Sequence, residues 1–63
     1  MTTKQAMEEV LSQGIKQVFI AGKLGVSQST VRAWKKGWNN MDEIYRPKFE
    51  GAFGVKIDED NPS

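Results

Sequence analysis

Gly25 is flanked on both sides by apolar residues at helical spacing, and this arrangement restricts the fold more than any other feature of the chain. In residues 17–36, QVFIAGKLGVSQSTVRAWKK, Ile20, Ala21 and Leu24 fall on one face of a helix predicted over residues 17–24. Gly25 can take the left-handed backbone that a tight turn requires. Val26, Val31 and Trp34 then bury the far side, and Ser27 as N-cap and Gly37 as stop delimit a second helix over residues 28–36. Two short helices crossing at such a turn make a helix-turn-helix. With Val31 and Trp34 facing inward, Gln28, Ser29 and Arg32 share the outward face of the second helix. Amides, hydroxyls and cations hydrogen-bond base edges and phosphates, so this face fits the major groove of duplex DNA.

The formal net charge of +1 hides an uneven distribution. Residues 14–40 carry Lys16, Lys23, Arg32, Lys35 and Lys36 and no acid. Residues 41–63 carry Asp42, Glu43, Glu50, Asp58, Glu59 and Asp60 against Arg46, Lys48 and Lys56. The positive excess therefore coincides with the helical hairpin, where it can replace phosphate counterions, while the acidic remainder keeps other faces off the duplex. A cation cluster alone is more often a solvated helix face; its coincidence with the motif gives it meaning.

Thr2 with Gln5 reads as a capping box, and Met7, Val10 and Leu11 repeat at i, i+3, i+4, predicting a first helix over residues 3–13 that Gly14 ends. Ile15 folds back onto the same core. Gly22 lies inside the second helix, where glycine costs about 1 kcal/mol relative to alanine, and the sequence leaves open whether close packing or tolerance explains it. Trp34 reads as core, whereas Trp38 could close the core, stack on a deoxyribose or join a subunit contact. Residues 41–53 allow one helix kinked at Pro47, or a turn capped by Asn40 and Glu43 followed by a helix with Pro47 at its first position; the second reading is preferred. Phe49, Ala52 and Phe53 follow helical spacing, Gly54 stops the helix, and Val55 and Ile57 alternate with Lys56 as in a short extended segment. These elements predict an all-α fold, a small bundle of four to five helices containing the helix-turn-helix with a short extended C-terminal segment. The domain spans residues 1–57, and residues 58–63 read as an acidic, disordered tail.

The helical hairpin resembles that of phage Cro and repressor proteins, which share Ala21, Gly25 and Val26 and commonly use residues such as Gln28 and Ser29 to read bases. Gly37 falls where such proteins end the recognition helix, and Phe49, Ala52, Phe53, Gly54 and Val55 resemble their closing helix and its terminal Leu-Gly-Val. The resemblance covers residues 17–57. It implies a sequence-specific DNA-binding transcriptional regulator from a phage or prophage, acting on a double-stranded operator in the cytoplasm of a bacterial host. Gln28, Ser29 and Arg32 are the expected base contacts, with Arg32 equally suited to a phosphate. Gln17 resembles the family's phosphate-gripping glutamine, and Ser27, Thr30, Lys35, Lys36, Asn39 and Asn40 are the other expected phosphate contacts. Ala33 departs from a position that is often polar, leaving at most contact with a thymine methyl. Such proteins usually set two recognition helices in successive major grooves. The expectation here is a weak homodimer joined through Tyr45, Phe53, Val55 and Ile57, which offer more apolar surface than so short a segment easily buries.

The 63 residues contain no cysteine and no histidine, which removes disulfides, thiolate metal sites, the usual zinc ligand and the usual general base. The acidic pairs Asp42/Glu43 and Asp58/Asp60 lack the spacing of a calcium loop, and so small a domain has little room for a substrate cleft. No apolar run approaches the roughly twenty residues of a membrane span, and the amino terminus lacks a signal pattern. The expectation is a chain that is not an enzyme and takes no cofactor, metal or small-molecule substrate. Two other classes compete: a helical protein-interaction module, such as an antitoxin or phage regulator binding through Trp38, Tyr45 and the acidic C-terminal segment, and an excisionase-like DNA-bending factor. Strong salt dependence of duplex binding separates the first of these from the DNA readers, and large bending identifies the second.

Overall fold

A computed structural model of the chain describes residues 1–58. Four helices follow one another: α1 (Thr3–Ser12), α2 (Gln17–Leu24), α3 (Gln28–Lys36) and α4 (Arg46–Phe53), with no strand among the described residues. The predicted tail, apart from Asp58, lies outside those residues. The starts of α1 and α3 are set by local chemistry that the sequence spells out. At α1 the Thr2 hydroxyl accepts the Gln5 N–H (3.2 Å) while Gln5 Oε1 accepts the Thr2 N–H (3.0 Å), a closed capping box. At α3 the Ser27 hydroxyl accepts the Thr30 N–H (3.2 Å).

Gly25 has φ +72°, so the turn between α2 and α3 uses the left-handed backbone. Gly25 caps α2 through its own N–H to Ala21 O, and Val26 N–H reaches the same carbonyl at 3.0 Å. α3 packs against both α1 and α2, and α4 closes on α2. The core joins Ala6, Met7 and Val10 of α1, Ile20, Ala21 and Leu24 of α2, Val31 and Trp34 of α3, and Phe49 of α4. Phe49 is fully buried, an apolar transfer worth about 1.5–3 kcal/mol.

Between α3 and α4 the chain makes a turn in which Tyr45 N–H donates to Asp42 O (3.0 Å), and α4 starts at Arg46. Pro47 therefore sits one residue further in than the preferred reading placed it. The shift is harmless, because the first turn of a helix has no intrahelical use for its N–H groups. α1 likewise ends at Ser12, with Gln13 as its cap. Met41, unremarked in the sequence, is 1% exposed and anchors this connection from inside the core. Its N–H donates to the buried Thr3 hydroxyl (3.0 Å), and its carbonyl accepts from Arg46 Nε (3.0 Å).

The C-terminal segment corrects the expected subunit contact. Val55 and Ile57 are buried in the protomer's own core, 8% and 6% exposed, with Lys56 outward between them. Phe53 is half-buried, its ring 5.1 Å from Phe49 and 6.3 Å from Phe19, and half-buried Tyr45 lies 5.9 Å from the Trp34 ring. Val55 and Ile57 are thus consumed at home, and of the four residues expected at a subunit contact only Tyr45 and Phe53 keep exposed surface. Ala52, by contrast, is exposed. Asp58 holds the segment's end, its N–H donating to Met1 O (3.2 Å) and its carboxylate pairing with the amino-terminal ammonium. That ammonium keeps the Asp58 carboxyl below the usual carboxylate range.

Candidate nucleic-acid interface

The outward face of α3 is fixed by what its inward face buries. Val31 and Trp34 are 0% and 3% exposed, and a helix advances about 100° per residue, so the opposite face holds Gln28, Arg32 and Lys36 at i, i+4 and i+8 with Ser29 at its edge. All four are exposed. An amide, a hydroxyl and two cations thus line one side of a nine-residue helix with no acid among them. Lys36 belongs to this face and not only to the phosphate-contacting end. The signal was available in the i+4 step from Arg32.

Ala33 is not part of the face. It is 9% exposed, so its methyl is largely covered and has little surface to offer a thymine.

Gln17 does not stand free for a phosphate alone. Its Nε2 donates to the Gln28 carbonyl (3.2 Å), tying the start of α2 to the first residue of α3. An amide carries two N–H bonds, so one remains to meet an anion while the other fixes the spacing of the two helix starts. No side chain caps α2; its first turn is closed by the backbone alone, Phe19 N–H donating to Lys16 O (3.0 Å).

Ser27, Thr30, Asn39 and Asn40, expected as phosphate contacts from separate parts of the sequence, line one open cleft of about 570 Å³ with Trp34 and Tyr45. The Ser27 and Thr30 hydroxyls are 3.0 Å apart and bonded to each other. Asp42 lines the same cleft. Its carboxylate repels a phosphate from that side, so the asparagines and hydroxyls offer the better approach for a DNA backbone.

At the other end of α3, Gly37 takes φ +80° and the chain closes a Schellman turn, with Gly37 N–H on Trp34 O (3.1 Å) and Trp38 N–H on Ala33 O (2.9 Å). Lys36 is exposed there, and Lys35 is half-buried. The fold adds a cation from α1, a stretch whose other charges are the acids Glu8 and Glu9. The Lys4 side chain crosses Gly37, where a Cβ would lie only 3.1 Å from Lys4 Cδ, so the Lys4 ammonium reaches no further than two bonds from this spot. Positive charge gathers at a helix carboxyl end, where the dipole favours it.

Among the described residues no helix is long and apolar enough to cross a membrane, and no cluster of three or more acidic, histidine or cysteine side chains could hold a metal ion. The sequence model of one protein family, phage terminase small subunit, matches residues 4–54. The match runs from the first turn of α1 to the glycine that caps α4. Neither the curated proteins nor the solved structures contain a match.

Proposed function

The chain belongs to the phage terminase small subunit family, a family of phage DNA-binding proteins, and we propose that it reads double-stranded phage DNA in a sequence-specific way by laying α3 in the major groove. The observation that carries this reading is the face of Gln28, Ser29, Arg32 and Lys36, exposed together on a helix whose other side is locked into the core. A glutamine amide can pair with N6 and N7 of adenine, and an arginine with O6 and N7 of guanine, each such pair discriminating by about 1–3 kcal/mol. Gln17, Asn39, Asn40, Lys35 and Lys4 surround that face and serve the backbone on either side, which sets register without reading sequence. On this reading the domain binds and does no chemistry. The name of the family describes a small subunit, so a larger terminase chain is the protein partner that goes with it.

A second reading rests on the spacing of Ala21, Gly25, Val26, Gln28 and Ser29, which resembles Cro and repressor proteins. Under it the same face binds an operator in the bacterial cytoplasm and controls transcription. Pairing of two copies belongs to either reading, because one nine-residue helix spans only a few base pairs. Val55 and Ile57 supply no surface for it; the large apolar side chains left outside are Met1, Val18, Phe19, Trp38 and Ile44.

Selection of bound duplexes from a random pool, followed by mapping of the selected sequence on the phage genome, tests the proposal. Enrichment of one motif that Arg32→Ala abolishes supports it. A motif at the packaging-gene region favours the terminase reading, and one at promoters favours the regulator. Binding without any enriched sequence refutes base reading by α3.

A further inference from the structure

Trp38 is 67% exposed, although it is among the largest apolar side chains in the protein and follows directly on the recognition helix. Its backbone is not loose, since the two hydrogen bonds of the Schellman turn fix the residue relative to the last turn of α3. Lys35 and Lys36 precede it closely in the chain, the Lys4 stem from α1 lies across the neighbouring Gly37, and Asn39 and Asn40 follow. No acid occurs between Gly14 and Asn40. An exposed indole on a fixed stretch of backbone, in an acid-free cationic segment, is complementary to a polyanion that also offers apolar surface. The deoxyribose-phosphate backbone is such a polymer, its sugar faces alternating with charges.

We propose that Trp38, with Lys4 and Lys36 beside it, is a backbone anchor at the carboxyl end of α3: the indole packs on a deoxyribose of duplex DNA while the ammonium groups meet the flanking phosphates. This rests on the DNA-reading function above and adds a contact to it. The carboxyl end of a recognition helix leaves the groove along the backbone, which brings sugars and phosphates, not base edges, to this position. The turn sets the Trp38 backbone in place before contact, so only the side-chain rotamer has to be ordered, and the exposed indole leaves water when the duplex arrives. Exposure of this ring in the free protein thus has a use.

Two measurements on the full chain with a mixed-sequence duplex two helical turns long test the anchor. Acrylamide quenching of tryptophan fluorescence reports Trp38 selectively, because Trp34 is 3% exposed and serves as the internal control. Duplex binding should suppress the quenching of the exposed class. Trp38→Ala should weaken binding about fivefold or more with an unchanged salt slope, in the range of aromatic truncations on nucleic acid. Lys4→Met keeps the stem over Gly37 and should instead reduce the salt slope by about one. If the parent binds the duplex while Trp38 stays fully quenchable and Trp38→Ala binds equally well, the anchor is wrong and the DNA-reading function stands. Concentration-dependent shielding of Trp38 in the absence of DNA would assign it to a subunit contact and overturn the anchor. No duplex binding by the parent at low salt removes both.

Discussion

Gly22 and Gly25 lie three residues apart in α2 and its cap, and replacing each with alanine should move stability in opposite directions. At both positions a Cβ would meet no heavy atom within 4 Å, so neither substitution causes a clash. They differ only in backbone. Gly22 is an exposed helical position outside the left-handed region, where alanine gains about 1 kcal/mol by reducing the freedom of the unfolded chain and favouring helix. Gly25 has φ +72°, where a Cβ costs about 1–2 kcal/mol. The same methyl should therefore separate the two variants by about 2–3 kcal/mol. A domain of this size has a total stability of only about 3–9 kcal/mol and shifts in Tm by about 4–8 °C per kcal/mol, so the gap is on the order of 15 °C. Thermal melts followed by far-ultraviolet circular dichroism measure it directly. Gly22→Ala melting at or below the parent would show that Gly22 answers a packing need invisible in this structure. Gly25→Ala melting at the parent temperature would refute the left-handed turn on which the orientation of α3 depends.

Gln28→Ala and Arg32→Ala should each erase about 1–3 kcal/mol of sequence preference while leaving the melting temperature near the parent's, read by competition between the selected duplex and random DNA; undiminished preference in either would displace that side chain from the groove. Lys35→Ala should weaken specific and random duplexes alike and lower the salt slope by about one, and a loss confined to one sequence would contradict its assignment to phosphate. Ile57→Ala should cost about 2–5 kcal/mol and lower the melting temperature equally at every protein concentration, because Ile57 is buried within the protomer; a loss that disappears on dilution would return it to a subunit interface.

The parts of this protein that were legible in the sequence are those decided within a few residues. The Thr2–Gln5 box, Gly25, the Ser27 cap and Gly37 each act on a single turn: the first starts α1, Gly25 ends α2, and Ser27 and Gly37 delimit α3 and hence the phase that exposes Gln28, Ser29 and Arg32. Pro47 announced a helix start to within one residue for the same reason. What escaped depends on contacts between distant segments. Met41 became a core residue because Thr3, 38 positions earlier, receives its N–H, and no periodicity around Met41 signals that. Lys4 belongs to an acidic stretch by sequence and to the cationic end of α3 in space.

The misreading of Val55 and Ile57 shows how the missing contacts bear on function. Their alternation with Lys56 was correctly seen, but alternation says only that one side of the segment is covered, not by what. The segment joins the core cluster through Val55 and Ile57, and the ion pair between Asp58 and the amino terminus fastens its end. The closure buries Val55 and Ile57. Large apolar surface is left mainly on α2, at Val18 and Phe19, and around the connection after α3, at Trp38 and Ile44. The exposed large apolar side chains therefore lie mainly on α2 and on the connection after α3, not on the C-terminal segment. With Trp38 facing the duplex in the proposed DNA-bound state, a second copy or larger subunit would dock through Val18 and Phe19 of α2, and its binding should be insensitive to Trp38→Ala.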